Sequence, residues 1–146
     1  MRWLLAMTVV AAFAAEAQAS GGVSCVSEGG PAKIEMEAGM TGGMGAPIFA
    51  LSASIKLDDQ AIAEDLRNSA FARENLAQYW FDASDMRFLL YRERQGGAFG
   101  SVEATLTTKS AGDEISFAGT YLVKVADAGI GGEPKTYEGR VICSVE

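Results

Sequence analysis

The amino-acid sequence predicts an all-β fold: an antiparallel β-sandwich or barrel of about seven strands, with a short helical crossover near residues 59–78. Three observations carry that expectation. Apolar and polar residues alternate at period two along most of the chain. Short glycine-containing segments separate the alternating runs. Two cysteines sit near opposite ends, where one disulfide would staple the first strand to the last.

The chain opens with Arg2, an apolar run from Trp3 to Ala15, and the small-x-small site Ala17-Gln18-Ala19 before Ser20. This is the order of a secretory signal peptide, so residues 1–19 are read as a cleaved leader and residues 20–146 as a single β-rich domain. The apolar run falls short of the roughly 20 residues needed to span a bilayer, and no later segment is apolar enough, so no membrane span is expected after cleavage. Lipidation of Cys25 is the competing use of that cysteine. It is disfavoured by glycine at position 22, where a lipobox has a leucine-like residue.

Period-two alternation then places the strands in order. Val23 and Cys25 share one face of the first. In AKIEMEA, Ala32, Ile34 and Met36 oppose Lys33, Glu35 and Glu37. IFALSASIKL puts Phe49, Leu51, Ala53, Ile55 and Leu57 on one side. Met86, Phe88 and Leu90 oppose Arg87, and Val102, Ala104 and Leu106 oppose Glu103, Thr105 and Thr107. Ile115, Phe117, Tyr121, Val123 and Val125 align, as do Tyr137, Val141, Cys143 and Val145 in the last strand. Gln95-Gly96-Gly97 and Ser110-Ala111-Gly112-Asp113 are hairpin-sized, and Asp127 to Lys135 is a longer connection. Between the third strand and Met86, DQAIAEDLRNSAFARENLAQ favours helix. Asp58 or Asp59 is placed to cap it, and Ile62 and Leu66 are four apart.

Composition narrows the function. The chain carries 12 basic and 19 acidic residues, net −7, a poor match for nucleic acid or anionic lipid. It contains no histidine, which removes His-dependent nucleophilic catalysis and His-containing zinc sites. Cys25 and Cys143 form no CxxC pair, so the expected disulfide is structural and not a site of thiol exchange. Neither a calcium loop nor a phosphate-binding loop matches the acidic cluster Asp58, Asp59, Glu64, Asp65 or the glycine-rich GMTGGMG.

Three stretches remain as candidate sites. In MEAGMTGGMGAP, Met36, Met40 and Met44 are spaced by four, but the glycines and the proline oppose a helix. If Met36 ends a strand, Met40 and Met44 are left as loop methionines, weak candidates for Cu(I), and a strand connection is the simpler use. In QYWFD, a strand would turn Tyr79 and Phe81 one way and Trp80 the other, while a helix would spread the three rings over about 200° of its surface. Either way one ring leaves the main core, to close the end of the sandwich or to form an aromatic platform beside Asp82 and Asp85, suited to stacking on a sugar while the carboxylates accept from hydroxyls. Arg92 and Arg94 share a strand face, where both forks could grip one carboxylate or phosphate, Glu103 being the cross-strand alternative.

These features predict a periplasmic or secreted, non-catalytic binding or interaction module of the bacterial cell envelope. Its partner is expected to be an envelope protein or a saccharide, with no nucleic acid and no cofactor. The alternatives are a Cu(I) carrier using Met40 and Met44, and a hydrolase built on a pair of carboxylates.

Overall fold

The computed structural model describes residues 21–41 and 47–146. The expected leader and Met44 lie outside the described residues. The strands are β1 (Gly21–Ser27), β2 (Ala32–Met40), β3 (Ile48–Leu57), β4 (Asn68–Ala72), β5 (Leu76–Phe81), β6 (Asp85–Glu93), β7 (Gly100–Ser110), β8 (Ser116–Asp127) and β9 (Lys135–Val145). One helical turn, α1 (Glu64–Arg67), precedes β4, and a 3₁₀ turn (Arg73–Asn75) joins β4 to β5.

All nine strands belong to one sheet in the order β4-β3-β2-β1-β9-β8-β7-β6-β5. Every neighbouring pair is antiparallel, and each strand pairs with its neighbours in sequence, except that β4 and β5 are the two edges and β1 pairs with β9. The outermost strands, β4 and β5, are only the 3₁₀ turn apart in sequence. The sheet must therefore curl until its two edges meet, giving an up-and-down barrel that is nearly closed. Counting antiparallel steps round the sheet, β4 and β5 also run in the same direction. They form one broken stave whose first part pairs with β3 and whose second part pairs with β6. Eight staves enclose an interior just wide enough for side chains to fill.

The fill comes from the period-two faces. Cys25, Ile34, Met36, Ile55, Met86, Phe88, Leu90, Val102, Leu106, Tyr121, Val123 and Val141 are all buried in one core. Tyr121 is the largest of them, and Gly139, its register partner on β9, makes room: a Cβ there would lie 2.4 Å from the phenol oxygen. The Ala32 backbone N–H donates to that oxygen at 3.2 Å, satisfying the buried hydroxyl. Gly119 on β8 is required for a different reason, since a Cβ would fall 1.9 Å from the Thr107 carbonyl oxygen of β7.

Cys25 and Cys143 face each other across the β1–β9 ladder and form the expected disulfide, at a sequence separation of 118. The crosslink lies where the first and last strands close the meander. The chain-entropy model credits so long a loop with about 4.7 kcal/mol. Among the described residues no helix is long and apolar enough to cross a membrane.

The short helical crossover is present as α1 and the 3₁₀ turn, and the rest of that stretch, Asn68–Ala72 and Leu76–Phe81, is recruited as the strands that complete the barrel. Pairing with β3 and β6 outweighs a local helical preference of a few tenths of a kcal/mol per residue. Asp59 does not cap a helix. Its Oδ1 accepts the Ala61 N–H in a turn, and the residue before α1 is Ala63, which makes no side-chain cap. Ile62 and Leu66 are nevertheless both buried, and they close one mouth of the barrel. Phe49 is not in the core. The register shifts so that Met40 pairs with Ile48 and Gly39 with Ala50, which turns Ile48 inward and leaves Phe49 57% exposed, its ring over Gly39. Ile115 likewise precedes β8 in an exposed turn instead of joining its inner face.

Candidate functional site

The QYWFD stretch is a strand, the second half of the broken stave. Alternation sends Tyr79 and Phe81 inward, where they are half-buried against the core, with the Phe81 ring 6.0 Å from Phe117. Trp80 points outward and is 58% exposed. The β5–β6 turn then fixes its indole. Asp82 Oδ1 accepts the Ser84 N–H at 2.7 Å, the Asp85 N–H at 2.8 Å and the Ser84 hydroxyl at 2.9 Å. Its Oδ2 accepts the Trp80 Nε1–H at 3.1 Å. The Ser84 N–H foremost, then that of Asp85, pulls the Asp82 carboxyl down from its usual 3.8 to about 2. Asp82 is therefore a turn residue that orients the tryptophan, and its hydrogen-bonding capacity is used within the chain.

Asp85 opens β6 and sits half-buried at the same turn. Its Oδ2 accepts from the Ser84 hydroxyl at 3.3 Å, while Oδ1 is buried without a hydrogen bond, 3.9 Å from the Arg87 guanidinium. Arg87 is the register partner of Trp80 on β6. The two side chains lie side by side on the outer surface of the barrel.

From Trp80 a shallow groove of about 670 Å³ runs over the outside of β5, β6 and β7, lined chiefly by Arg73, Gln78, Trp80, Arg87, Leu89 and Thr105. A register shift between Leu76 and Gln78 makes room for Ala77, so Ala77 and Gln78 are both exposed beside the tryptophan. Arg73 enters from the 3₁₀ turn, its Nε–H donating to the Ile48 carbonyl at 2.8 Å across the seam. Arg73, Gln78, Leu89 and Thr105 were missed as site residues in the sequence. They belong to four elements, the 3₁₀ turn and strands β5, β6 and β7, and only the pairing of those strands gathers them. The legible signal was the alternation that put Arg87 outward.

Arg92 lies on β6 and Arg94 just past its end, and the carboxylate in reach is the chain's own. Arg94 Nε and Nη2 donate to Asp65 of α1 at 2.7 and 3.1 Å, and Nη1 donates to the Ala98 carbonyl and to Asp127 Oδ1 at 3.3 Å. That bidentate Arg94 pairing holds the Asp65 carboxyl below its usual range, with Arg92 adding a weaker attraction. Asp127, its side chain 1% exposed, also accepts N–H groups from Gly129 and Ala63. Burial pushes its carboxyl up, but those donors and Arg94 outweigh burial, and the net direction is down. Nearby, Asp59 accepts from Lys135 at 2.9 Å and from the Tyr137 hydroxyl at 2.8 Å. Lys135 first, then the Ala61 N–H and Tyr137, brings Asp59 to about 2. Burial and then Asp59 push the Tyr137 phenol up to about 12. This cluster is an internal clamp holding α1 over the barrel mouth.

Met40 is the last residue of β2 and 4% exposed, so its thioether is packed in the core and not presented in a loop. Among the described residues, no three His, Cys, Asp or Glu side chains are grouped as a metal site. No protein-family model, no curated protein and no solved structure matches the chain.

Proposed function

We propose that the chain is an exported, non-catalytic binding module of the bacterial cell envelope that presents the outer face of β5–β7 to a partner. The observation that carries this reading is Trp80, a large ring left exposed yet held in one orientation by Asp82. A ring already fixed loses little side-chain freedom on binding, so its buried area converts more fully into affinity. An oriented aromatic in a groove ringed by polar groups is the arrangement of a contact surface.

Two features support the non-catalytic part. The interior is filled by side chains, so the barrel serves as scaffold. The shifted carboxylates, Glu35, Asp59, Asp65, Asp82, Asp113 and Asp127, are all shifted toward the ionised form. A carboxyl serving as general acid needs the opposite displacement. Export is supported by the leader-like N-terminus and by a disulfide of the kind that persists in oxidising compartments.

Intact mass after bacterial expression tests export, which predicts loss of residues 1–19 and of two cysteine hydrogens. Titration with fractionated envelope protein and glycan, followed by Trp80 fluorescence, tests binding. A shift in emission with one fraction, and loss of that fraction's retention on Trp80→Ala, is the expected result. Emission unmoved by every fraction would remove the reading.

A further inference from the structure

We infer that the Trp80 groove takes an acidic saccharide, a sugar ring carrying a carboxylate; this rests on the reading of β5–β7 as the binding face. The first ground is charge. The chain is net −7, yet its groove is lined by two guanidinium groups and no carboxylate. Both groups have capacity to spare. Arg73 spends Nε on the Ile48 carbonyl, and among the described residues neither of its Nη atoms makes a hydrogen bond or ion pair. Arg87 is 58% exposed, and its carboxylate neighbour, Asp85, stands 3.9 Å away, beyond hydrogen-bond range. A guanidinium fork matches a planar carboxylate with two parallel bonds.

The second ground is the ring. The indole N–H is already donated to Asp82, so Trp80 offers a partner its face alone. A face without a donor suits the C–H side of a sugar. A peptide laid on it would gain no bond from the indole to its carbonyls. Gln78 and Thr105, on the strands flanking Arg87 and Leu89, supply an amide and a hydroxyl for the sugar's own hydroxyls. Thus the groove combines one stacking face, two anion forks and two neutral hydrogen-bonding groups. The carboxylates expected to meet the sugar, Asp82 and Asp85, instead build the turn at the groove's end.

The test uses the protein as secreted, with Trp3→Phe so that Trp80 is the sole tryptophan whether or not the leader remains. An oligogalacturonate, the neutral galactose oligomer of equal length and a hexaglutamate peptide are titrated while Trp80 emission is followed. The expected result is binding of the oligogalacturonate about tenfold or more tighter than the neutral sugar, the margin of one charge-assisted contact. That margin should shrink on Arg87→Gln, with an unchanged thermal midpoint, on Arg73→Gln, and as salt is raised. Equal binding of neutral and acidic sugars would overturn the inference and leave the binding face standing. Tighter binding of hexaglutamate would overturn the saccharide class and likewise leave the face standing. Silence of Trp80 toward these probes and toward every envelope fraction would remove both.

Discussion

The mouth of the barrel and the outer face of β5–β7 are built from the same residue types and put to opposite uses. At the mouth, Arg94 gives donors from all three guanidinium nitrogens to Asp65, Asp127 and the Ala98 carbonyl. On the outer face, Arg87 lies beyond hydrogen-bond range of its carboxylate neighbour, and Arg73 uses one nitrogen of three. The apolar residues divide the same way. Ile62 and Leu66 are buried under the mouth clamp, while Trp80 is turned out and fixed at its edge. The difference teaches that residue type alone does not say whether a fork is spent. The same guanidinium is saturated at the mouth and keeps free donors on the outer face, and only an unsaturated fork has a bond left to give.

Substitutions at each region sharpen that contrast. The largest effect on stability is expected from Leu66→Ala, which opens a void under α1 and should cost about 2–5 kcal/mol in a urea titration. Asp127→Ala comes next. It strands the part-buried N–H groups of Ala63 and Gly129 and removes a partner of Arg94, at a total cost of about 1–3 kcal/mol. A midpoint unchanged by Asp127→Ala would show that water substitutes freely at the mouth, and the contrast would fail.

Acid and base probe both regions at once. The folded carboxyls of Asp59 and Asp82 lie below their usual 3.8, at about 2. Their contribution is therefore complete above pH 3.8 and lost as pH falls from there toward 2. Tyr137 has the reverse sign. Its folded value is raised from 10.0 to about 12, so its contribution is complete below pH 10.0 and lost as pH rises toward 12. Thermal midpoints should decline in both windows, and Tyr137→Phe should flatten the alkaline one and, by removing one of the donors to Asp59, narrow the acid one. The smallest stability effect is expected for Arg87→Gln, within about 0.5 kcal/mol, since its side chain is exposed and loosely paired. A larger loss there would mean that the outer face is architecture too.

Much of the barrel was legible in advance, for identifiable reasons. Ile34, Met36, Phe88, Leu106 and Val123 kept strict alternation, and a strand's side-chain period admits no other assignment once one face is buried. The disulfide followed from two cysteines on apolar faces at opposite ends. The stretch from Asn68 to Phe81 misled because its local composition favours helix, whereas its partners, β3 and β6, lie elsewhere in the chain. Phe49 misled because a bulge shifts the parity of everything before it. At the site, the outward turn of Trp80 was foreseen as the strand alternative, but the roles of its neighbours were not. Asp82 serves the turn, Arg94 serves the mouth, and Arg73 reaches the groove only through the seam.

By itself, the sequence determined which residues are apolar, where alternation begins and ends, and that two cysteines were there to join the chain ends. Such properties are local, set by side-chain chemistry and the two-residue period of an extended backbone. Closure into a barrel was decided only by tertiary structure, because it depends on β4 and β5 sharing one stave at the two edges of the sheet. So was the division of arginines between those satisfied internally and those with hydrogen-bonding capacity unspent. Hydrogen-bonding capacity is consumed in three dimensions, by groups as distant in sequence as Arg94 and Asp127, and no spacing along the chain records it.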